Sequence, residues 1–220
     1  NITENATAHG GAINVVQGDL IANYNRFAGN ITIDPAFGRS IWLAGGDPGN
    51  TINADNNWWG VNTGPAAGEI ANGPAPVTPP VATKWLQLKA SAATSPICPT
   101  NVLLGNTSVV TASLLSNSAG EAIASSNLDA FISQQVNFTA ALGTLSAASG
   151  NLSNGVTTVT FTSNGSAGNA TVNASFDNVP NNDAVARATI VVNAPASITT
   201  QPVATTICQG SVANFSVVAA

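Results

Sequence analysis

Beyond Pro99, apolar residues recur at every second position, in short runs divided by Gly, Asn and Ser. The run "SVVTASLLS" puts Val110, Ala112 and Leu114 on one side, and "QVNFTAAL" does the same with Val136, Phe138 and Ala140. "VTTVTFTS" supplies Val159 and Phe161, and "ARATIVVN" supplies Ala188, Ile190 and Val192. "NATVNASFDN" sets Ala170, Val172, Ala174 and Phe176 against Thr171, Asn173 and Ser175 on the opposite side. A period of two marks a strand with one buried and one wet face. Several such strands over roughly 100 residues predict an antiparallel sandwich of immunoglobulin-like size.

The opening of the chain follows another rule, a set of short β-branched runs that occurs twice. "NITENATAHGGAINVVQGDLIANYNRFAGN" can be laid on "NITIDPAFGRSIWLAGGDPGNTINADNNWWG", with Asn1-Ile2-Thr3 on Asn30-Ile31-Thr32 and Ala12 to Val15 on Ser40 to Leu43. A three-residue insertion around Gly45 to Gly49 then sets Ile21 on Ile52, Asn25 on Asn56, Phe27 on Trp58 and Gly29 on Gly60. A period of roughly 30 without helical spacing predicts a parallel β-helix, since one coil cannot bury its apolar side and stacked coils can. Asn25 and Asn56 are the expected amide ladder, because asparagine also tolerates the left-handed backbone of such corners.

A stack has an end, and the end exposes an apolar layer and unpaired strand edges. Trp58 and Trp59 stand side by side where the first repeat has Phe27, so the indoles are expected to cover the last layer. The following "GPAAGEIANGPAPVTPPVATKWLQL" is rich in Gly and Pro and predicts a cap and exit strap. Trp85 joins Trp58 and Trp59 in that cap.

Composition narrows the setting. Charged residues make up 7% of the chain, against about 25% in an ordinary soluble domain, so Asn, Ser, Thr and Gly must cover the surface. The net charge is -5, and Arg26, Arg39, Lys84, Lys89 and Arg187 are scattered. Nucleic acid, which needs clustered cations, is excluded as a partner. No run reaches the length of a membrane-spanning helix. The chain has no methionine and no signal peptide, which predicts a processed piece of a longer secreted or cell-surface polypeptide.

"NNWWG" and "GP", followed by "WL", resemble the C-terminal end of right-handed parallel β-helices of the pectate-lyase-like kind in large bacterial surface proteins. The layout from "VTASLLSNSAGE" to "ATIVVN" is similar to bacterial Ig-like domains of the invasin and intimin type. "APASITTQPVATTICQGSVANFSVVAA" resembles the opening of another Ig-like module, common in tandem on surface proteins of Bacteroidetes-like bacteria. These resemblances imply an all-β chain: β-helix coils over 1–60, cap and linker over 61–94, a sandwich over 95–193, and the first strands of an incomplete module over 194–220. They imply a non-enzymatic extracellular stalk or adhesin, or a filament subunit completed by strand exchange with a neighbouring chain. The expected partners are further copies, neighbouring domains, a carbohydrate or a cell-surface receptor. The alternative is a β-helix that binds or degrades polysaccharide.

Candidate chemistry is sparse. His9 is the single histidine, so neither a histidine-based triad nor a multi-histidine metal site can be built. Cys98 and Cys208 lack nearby basic partners and fall in different modules, so each is expected to be free or bonded outside the chain. "GGDPGN" lacks the Lys-Ser/Thr of a phosphate loop. The loop from Asp177 to Asp183 gathers two carboxylates and three amides; it is either a set of turn formers or a calcium site. Asp19 and Asp47 both follow Gly, in register, as turn residues or as part of a calcium or sugar site. Trp42 and Tyr24 either pack in the core or at its edge, which is the reading their positions favour, or stack on sugar rings. Asn-x-Ser/Thr occurs ten times, and Asn173 is the outward position where a glycan could sit. No catalytic residue and no cofactor other than calcium is expected.

Overall fold

The computed structural model describes residues 1–7, 11–34, 36–44, 51–73, 82–93, 101–103, 107–163, 167–193 and 198–219. Within them the chain is all-β, with two short 3-10 turns at Ser125–Asn127 and Asp129–Phe131. No helix of the described residues is long and apolar enough to cross a membrane.

The first part contains β1 (Ile2–Thr3), β2 (Ala6–Thr7), β3 (Ile13–Val15), β4 (Leu20–Ile21), β5 (Phe27–Ala28), β6 (Ile31–Thr32), β7 (Ile41–Leu43), β8 (Ile52–Asn53) and β9 (Ile70–Asn72). Their pairings are all parallel: β1 with β5, β2 with β6, β4 with β8, and β7 between β3 and β9. Each strand lies on the strand one coil earlier, so the chain winds in stacked rungs. Val15, Phe27, Ile41, Leu43, Ile52, Ala54 and Trp59 fill the interior, flanked by Ile2, Leu20, Ile70 and Trp85.

Two details of the expected register are corrected. Leu20, not Ile21, lies beneath Ile52, because eight residues separate Leu43 from Ile52 whereas four separate Val15 from Leu20. The insertion is therefore four residues long, and every later match moves by one. At the other end Ala6-Thr7, not Ile2-Thr3, pairs with Ile31-Thr32. Asn1-Ile2-Thr3 and Asn5-Ala6-Thr7 fit the same pattern, and Ile2 is instead required beneath Phe27.

The second part contains β10 (Lys89–Ala92), β11 (Asn101–Leu103), β12 (Thr107–Ser113), β13 (Gln135–Ala141), β14 (Gly143–Leu145), β15 (Ser149–Asn151), β16 (Val156–Ser163), β17 (Gly168–Ser175) and β18 (Arg187–Asn193). One sheet has the order β10-β12-β16-β14 and the other β11-β18-β17-β13-β15. The pairings are antiparallel except β11 on β18. The alternating positions all point inward, with Val110, Ala112, Leu114, Val136, Phe138, Val159, Phe161, Ala170, Val172, Ala174, Ala188, Ile190 and Val192 buried. Burying a Val, Leu, Ile or Phe contributes about 1.5–3 kcal/mol.

The expected boundaries shift accordingly. Coils continue past residue 60, since β9 adds a rung above β7. The sandwich begins before residue 95, since β10 pairs with β12. Both lie inside the stretch assigned to cap and linker, where Ile70 and Ala90 carry apolar contacts that the surrounding Gly and Pro obscure.

Strand direction fixes the path of the chain. β10 starts beside Ser113 at the end of β12, and β17 ends at Ser175, where Phe176 and Asp177 meet the coils. β18 runs antiparallel to β17 and parallel to β11. The polypeptide thus enters the sandwich at the coil end and leaves from the opposite end. Past it, β19 (Ile198–Thr200) and β20 (Val218–Ala219) form a two-stranded antiparallel hairpin. Every residue from 198 to 218 is exposed except half-buried Ala213.

Candidate functional site, the junction of coil and sandwich

Adjacent residues of a strand point to opposite faces. Trp58 and Trp59 obey this, and so they serve two different cores. Trp59 turns inward and stacks on Phe27, with ring centroids 4.8 Å apart and planes 13° from parallel. Trp58 turns outward, is fully buried, and stacks on Phe176 of the sandwich at 5.2 Å and 22°. Leu86 and Leu88 join Trp58 in the sandwich core. The expectation that Trp58, Trp59 and Trp85 together cover the coil end is thus corrected for Trp58. Trp85 flanks the coil core, and its Nε1 donates to the Asn62 carbonyl at 2.8 Å. Gly64, at φ +85°, lets that ring lie against the main chain; a Cβ there would sit 2.5 Å from Trp85 Cδ2.

Arg26, beside Phe27 on the lower rung, also points outward. Its Nε donates to Asp177 Oδ2 at 2.9 Å, and its Nη2 donates to Asp177 Oδ1. Trp58 Nε1 donates to the same Oδ2 at 2.7 Å, and the guanidinium lies 5.3 Å from the centre of the Phe176 ring. The side chains of Arg26 and Asp177 are 16% and 10% exposed; what Asp177 shows to solvent is main chain. A bidentate, charge-assisted pair in such shelter fixes orientation as well as contributing energy. Removing one partner strands the other charge.

A second seam runs along the exit strap. Leu86 bridges Asn117 in antiparallel fashion, and Ser118 N donates to the Trp85 carbonyl at 2.7 Å. Asn117 Nδ2 donates to Asn56 Oδ1 at 2.8 Å and to Glu121 Oε2 at 2.7 Å. Lys84 Nζ donates to Glu121 Oε2 at 2.8 Å. That bond, with the one from Asn117, holds the Glu121 carboxyl below its usual range, and it raises the Lys84 ammonium above its own. Asn62 Nδ2 reaches the Leu88 carbonyl at 2.9 Å and Asp183 Oδ1 at 3.2 Å, while Asn62 Oδ1 accepts from Leu88 N at 2.7 Å. Asn178 N donates to the Gly60 carbonyl at 3.0 Å. A cleft of about 160 Å³ lies beside the Arg26–Asp177 pair, lined by Glu4, Arg26, Gly29, Asp177 and Asn178 among others.

Several sequence candidates take other roles here. Asp177 and Asp183 do not converge as a metal site: Asp177 faces Arg26 and Trp58, and Asp183 Oδ1 accepts from Val185 N at 2.8 Å and Ala186 N at 3.1 Å. Among the described residues no group of three or more His, Cys, Asp and Glu side chains is placed to hold a metal. Asp19 has Thr51 as its register partner, accepting from Thr51 N and Oγ1 at 2.8 Å each. Those bonds lower its carboxyl from the usual value. Asp47, His9 and Cys98 lie outside the described residues, and Cys208 is free and exposed.

The ladder pairs Asn25 with Asn57 rather than Asn56, through Asn25 N donating to Asn57 Oδ1 at 2.7 Å. Asn57 Nδ2 reaches the carbonyls of Ala22 and Ala54. A second ladder went unread: Asn5 Nδ2 donates to Asn30 Oδ1 at 3.0 Å. Trp42 is 7% exposed beneath Phe37, their rings 4.6 Å apart, and Tyr24 packs against the sandwich core, so neither offers a free ring to a sugar. Asn173 holds an outward position of β17, half-buried and with its Oδ1 enclosed. Sequence reasoning missed Arg26, Phe176 and Asn117 as junction residues, and Asn57 as the ladder amide within the coils. The in-out rule for adjacent strand residues could have separated Trp58 from Trp59; nothing local ties Arg26 to Asp177.

No family model matches the chain, and no curated protein does. Among solved structures it is similar to the Yersinia pseudotuberculosis adhesin InvE, with 24% identity over 52% of this chain and 30% of that one, at a TM-score of 0.35. It is similar to the D0-D1 domain of intimin, with 21% identity over 48% of this chain and 44% of that one, at 0.29. A C-terminal intimin fragment, solved with the intimin-binding domain of the translocated intimin receptor, shows 20% identity over 51% of this chain and 34% of that one, at 0.30. The chain spans less than half the length of each of these three structures.

Proposed function

We propose that the chain is a non-enzymatic extracellular spacer, a stiff segment of an adhesive stalk on a large bacterial surface protein of the Bacteroidetes-like kind. One observation carries this reading. The polypeptide enters the sandwich at the end locked to the coils and leaves from the opposite end, so the units stand end to end. The coils are the closing turns of a parallel β-helix, ended by Trp59 and Trp85, and the hairpin past residue 194 opens a further Ig-like module. A stalk needs its joints to transmit orientation, and a joint sharing one apolar core does so. Immunogold labelling of intact producing cells tests the reading: label held away from the envelope supports it, and label confined inside the cell refutes it.

In the filament form of this proposal the terminal strands complete a neighbouring copy. Its support is the exposure of Val203, Val212, Phe215 and Val218, which a two-stranded hairpin cannot bury. Sedimentation over a concentration series separates the forms, because strand exchange produces growing oligomers and a plain spacer stays monomeric.

A further inference from the structure

Among the described residues the columns of the coil stack differ in height. β7 lies between β3 and β9, and the column of β5 continues upward, Arg26 bridging Trp58 and Asn57 bridging Trp85. β6 lies on β2, and no described strand lies on β6. The chain skips this place because Asn62 is drawn to the junction. Its Oδ1 accepts from Leu88 N at 2.7 Å, and its carbonyl accepts from Trp85 Nε1 at 2.8 Å. The chain comes back at Gly68, whose carbonyl accepts from Arg39 N at 2.8 Å. Between β6 and that return lies a cleft of about 200 Å³, lined by Thr32, Phe37, Arg39, Ala67 and Gly68.

In a parallel ladder the N–H and C=O of one residue reach the same neighbouring strand, and those of the next residue face the opposite side. Ile31 N donates to the Asn5 carbonyl at 2.9 Å, so Thr32 turns its main-chain N–H and C=O toward the cleft. Ile31 and Ile33, on the outward side, are exposed. The column already reads Ala6-Thr7 beneath Ile31-Thr32. The tail strand β19 opens with Ile198-Thr199, the same residue types as Ile31-Thr32, and all of it is exposed. β20 holds one edge of β19, and the other edge is free among the described residues. Laid on β6 in parallel, Ile198 covers Ile31, and Thr199 continues the row of Thr7 and Thr32. Residues 194–220 contain no charged side chain, and Arg39 is already paired with Glu69 at 3.1 Å, so this seating leaves no ion without a partner. The tail of the same molecule falls short. β18 starts near the coils, with Arg187 opposite Asn173, and carries the chain about 20 Å away by Asn193. The stretch from Asn193 to Ile198 covers at most about 18 Å, so the occupant is a second copy.

We infer that the cleft above β6 seats β19 of a second copy, joining copies head to tail through strands in the order β20-β19-β6-β2. The inference rests on the filament form of the proposed function and names the acceptor for its terminal strands. Strand addition of this kind takes affinity from main-chain bonds and specificity from alternate side chains. Donor and acceptor are different surfaces, a heterologous contact of the kind that builds filaments. Sedimentation over a concentration series tests it on the full chain, with Cys98 and Cys208 changed to serine. Ile31→Glu charges the seat, and Ile198→Lys charges the strand. Each is expected to weaken association at least about tenfold by burying an unpaired charge. The double variant I31E/I198K lets the two charges meet and is expected to recover most of the loss. Both positions are exposed in the single chain, so melting temperatures are expected to stay unchanged. Ile21→Glu, on an exposed position of another coil face, is expected to leave association intact. Association that survives I31E and I198K, that stays lost in the double variant, or that is lost equally in I21E overturns the seat and leaves the filament form standing. A chain that is monomeric at every concentration overturns both.

Discussion

The chain has two joints, and they differ in kind. At the first, Trp58 from the coils completes the sandwich core, and Arg26, Asn56, Asn62 and Lys84 each reach a sandwich side chain. At the second, the segment after Asn193 leads to a hairpin whose apolar residues stay exposed, Val203 at 80% and Val212 at 83%. The first joint is made of the same material as a domain interior, and the second shows no shared core among the described residues. Rigidity between modules therefore comes from side chains that belong by sequence to one unit and by packing to the other.

The largest test of that contrast is Trp58→Ala. Truncating a buried tryptophan costs about 3–5 kcal/mol, and the loss is expected in the sandwich although Trp58 lies in the coils. Denaturant unfolding followed by hydrogen exchange on β12 and β17 reads it directly. Phe215→Ala in the tail is the counterpart, expected to leave sandwich stability unchanged.

Asp177→Ala comes next, leaving the Arg26 guanidinium and the Trp58 indole N–H without their acceptor. A sheltered pair broken on one side costs about 3 kcal/mol. Arg26→Met in the same background is expected to recover part of this, and a double-mutant cycle measures the coupling. Asn57→Ala should be milder, about 1–3 kcal/mol for the buried carbonyls of Ala22 and Ala54 that lose their donor. Its effect belongs to the coils, whereas Asn56→Ala loosens the joint to Asn117.

The smallest effect concerns Lys84 and Glu121, an exposed pair. Glu121 has its carboxyl lowered by Lys84 and Asn117, so its contribution is complete above the ordinary glutamate range and fades as pH falls through the lowered value. Lys84 is raised by Glu121, so its contribution is complete below the ordinary lysine range and fades as pH rises through the raised value. Glu121→Gln should flatten melting temperature against pH at both ends. Asp19 adds to the acid limb through Thr51, and that part persists in the Gln variant.

The sandwich was legible because strict alternation leaves little freedom: from Val110 to Val192 the predicted inward residues are the buried ones, and only Ala140 is half-buried. The coils were legible as a repeat but not in register. An insertion of four rather than three residues moved Asn25 from Asn56 to Asn57 and Phe27 from Trp58 to Trp59. Two Asn-x-Thr triplets near the start made the lower rung ambiguous, since identical small polar patterns carry no distinguishing bulk. The abundance of Asn-x-Ser/Thr has a related origin, because outward strand positions occupied by Asn, Ser and Thr produce it at a spacing of two. The joint was the least legible part. Arg26 and Asp177 stand 151 residues apart, and only the folded path of the chain brings them together.

The most direct measurement of the two-joint account is a pair of spin-label distance distributions. Labels at Val16→Cys on the coils and Thr139→Cys on the sandwich span the first joint, with Cys98 and Cys208 replaced by serine. Labels at Thr139→Cys and Thr205→Cys span the second. A single narrow distribution across the first joint and a broad one across the second is the predicted result. A broad or multi-peaked distribution between Val16 and Thr139 would contradict it.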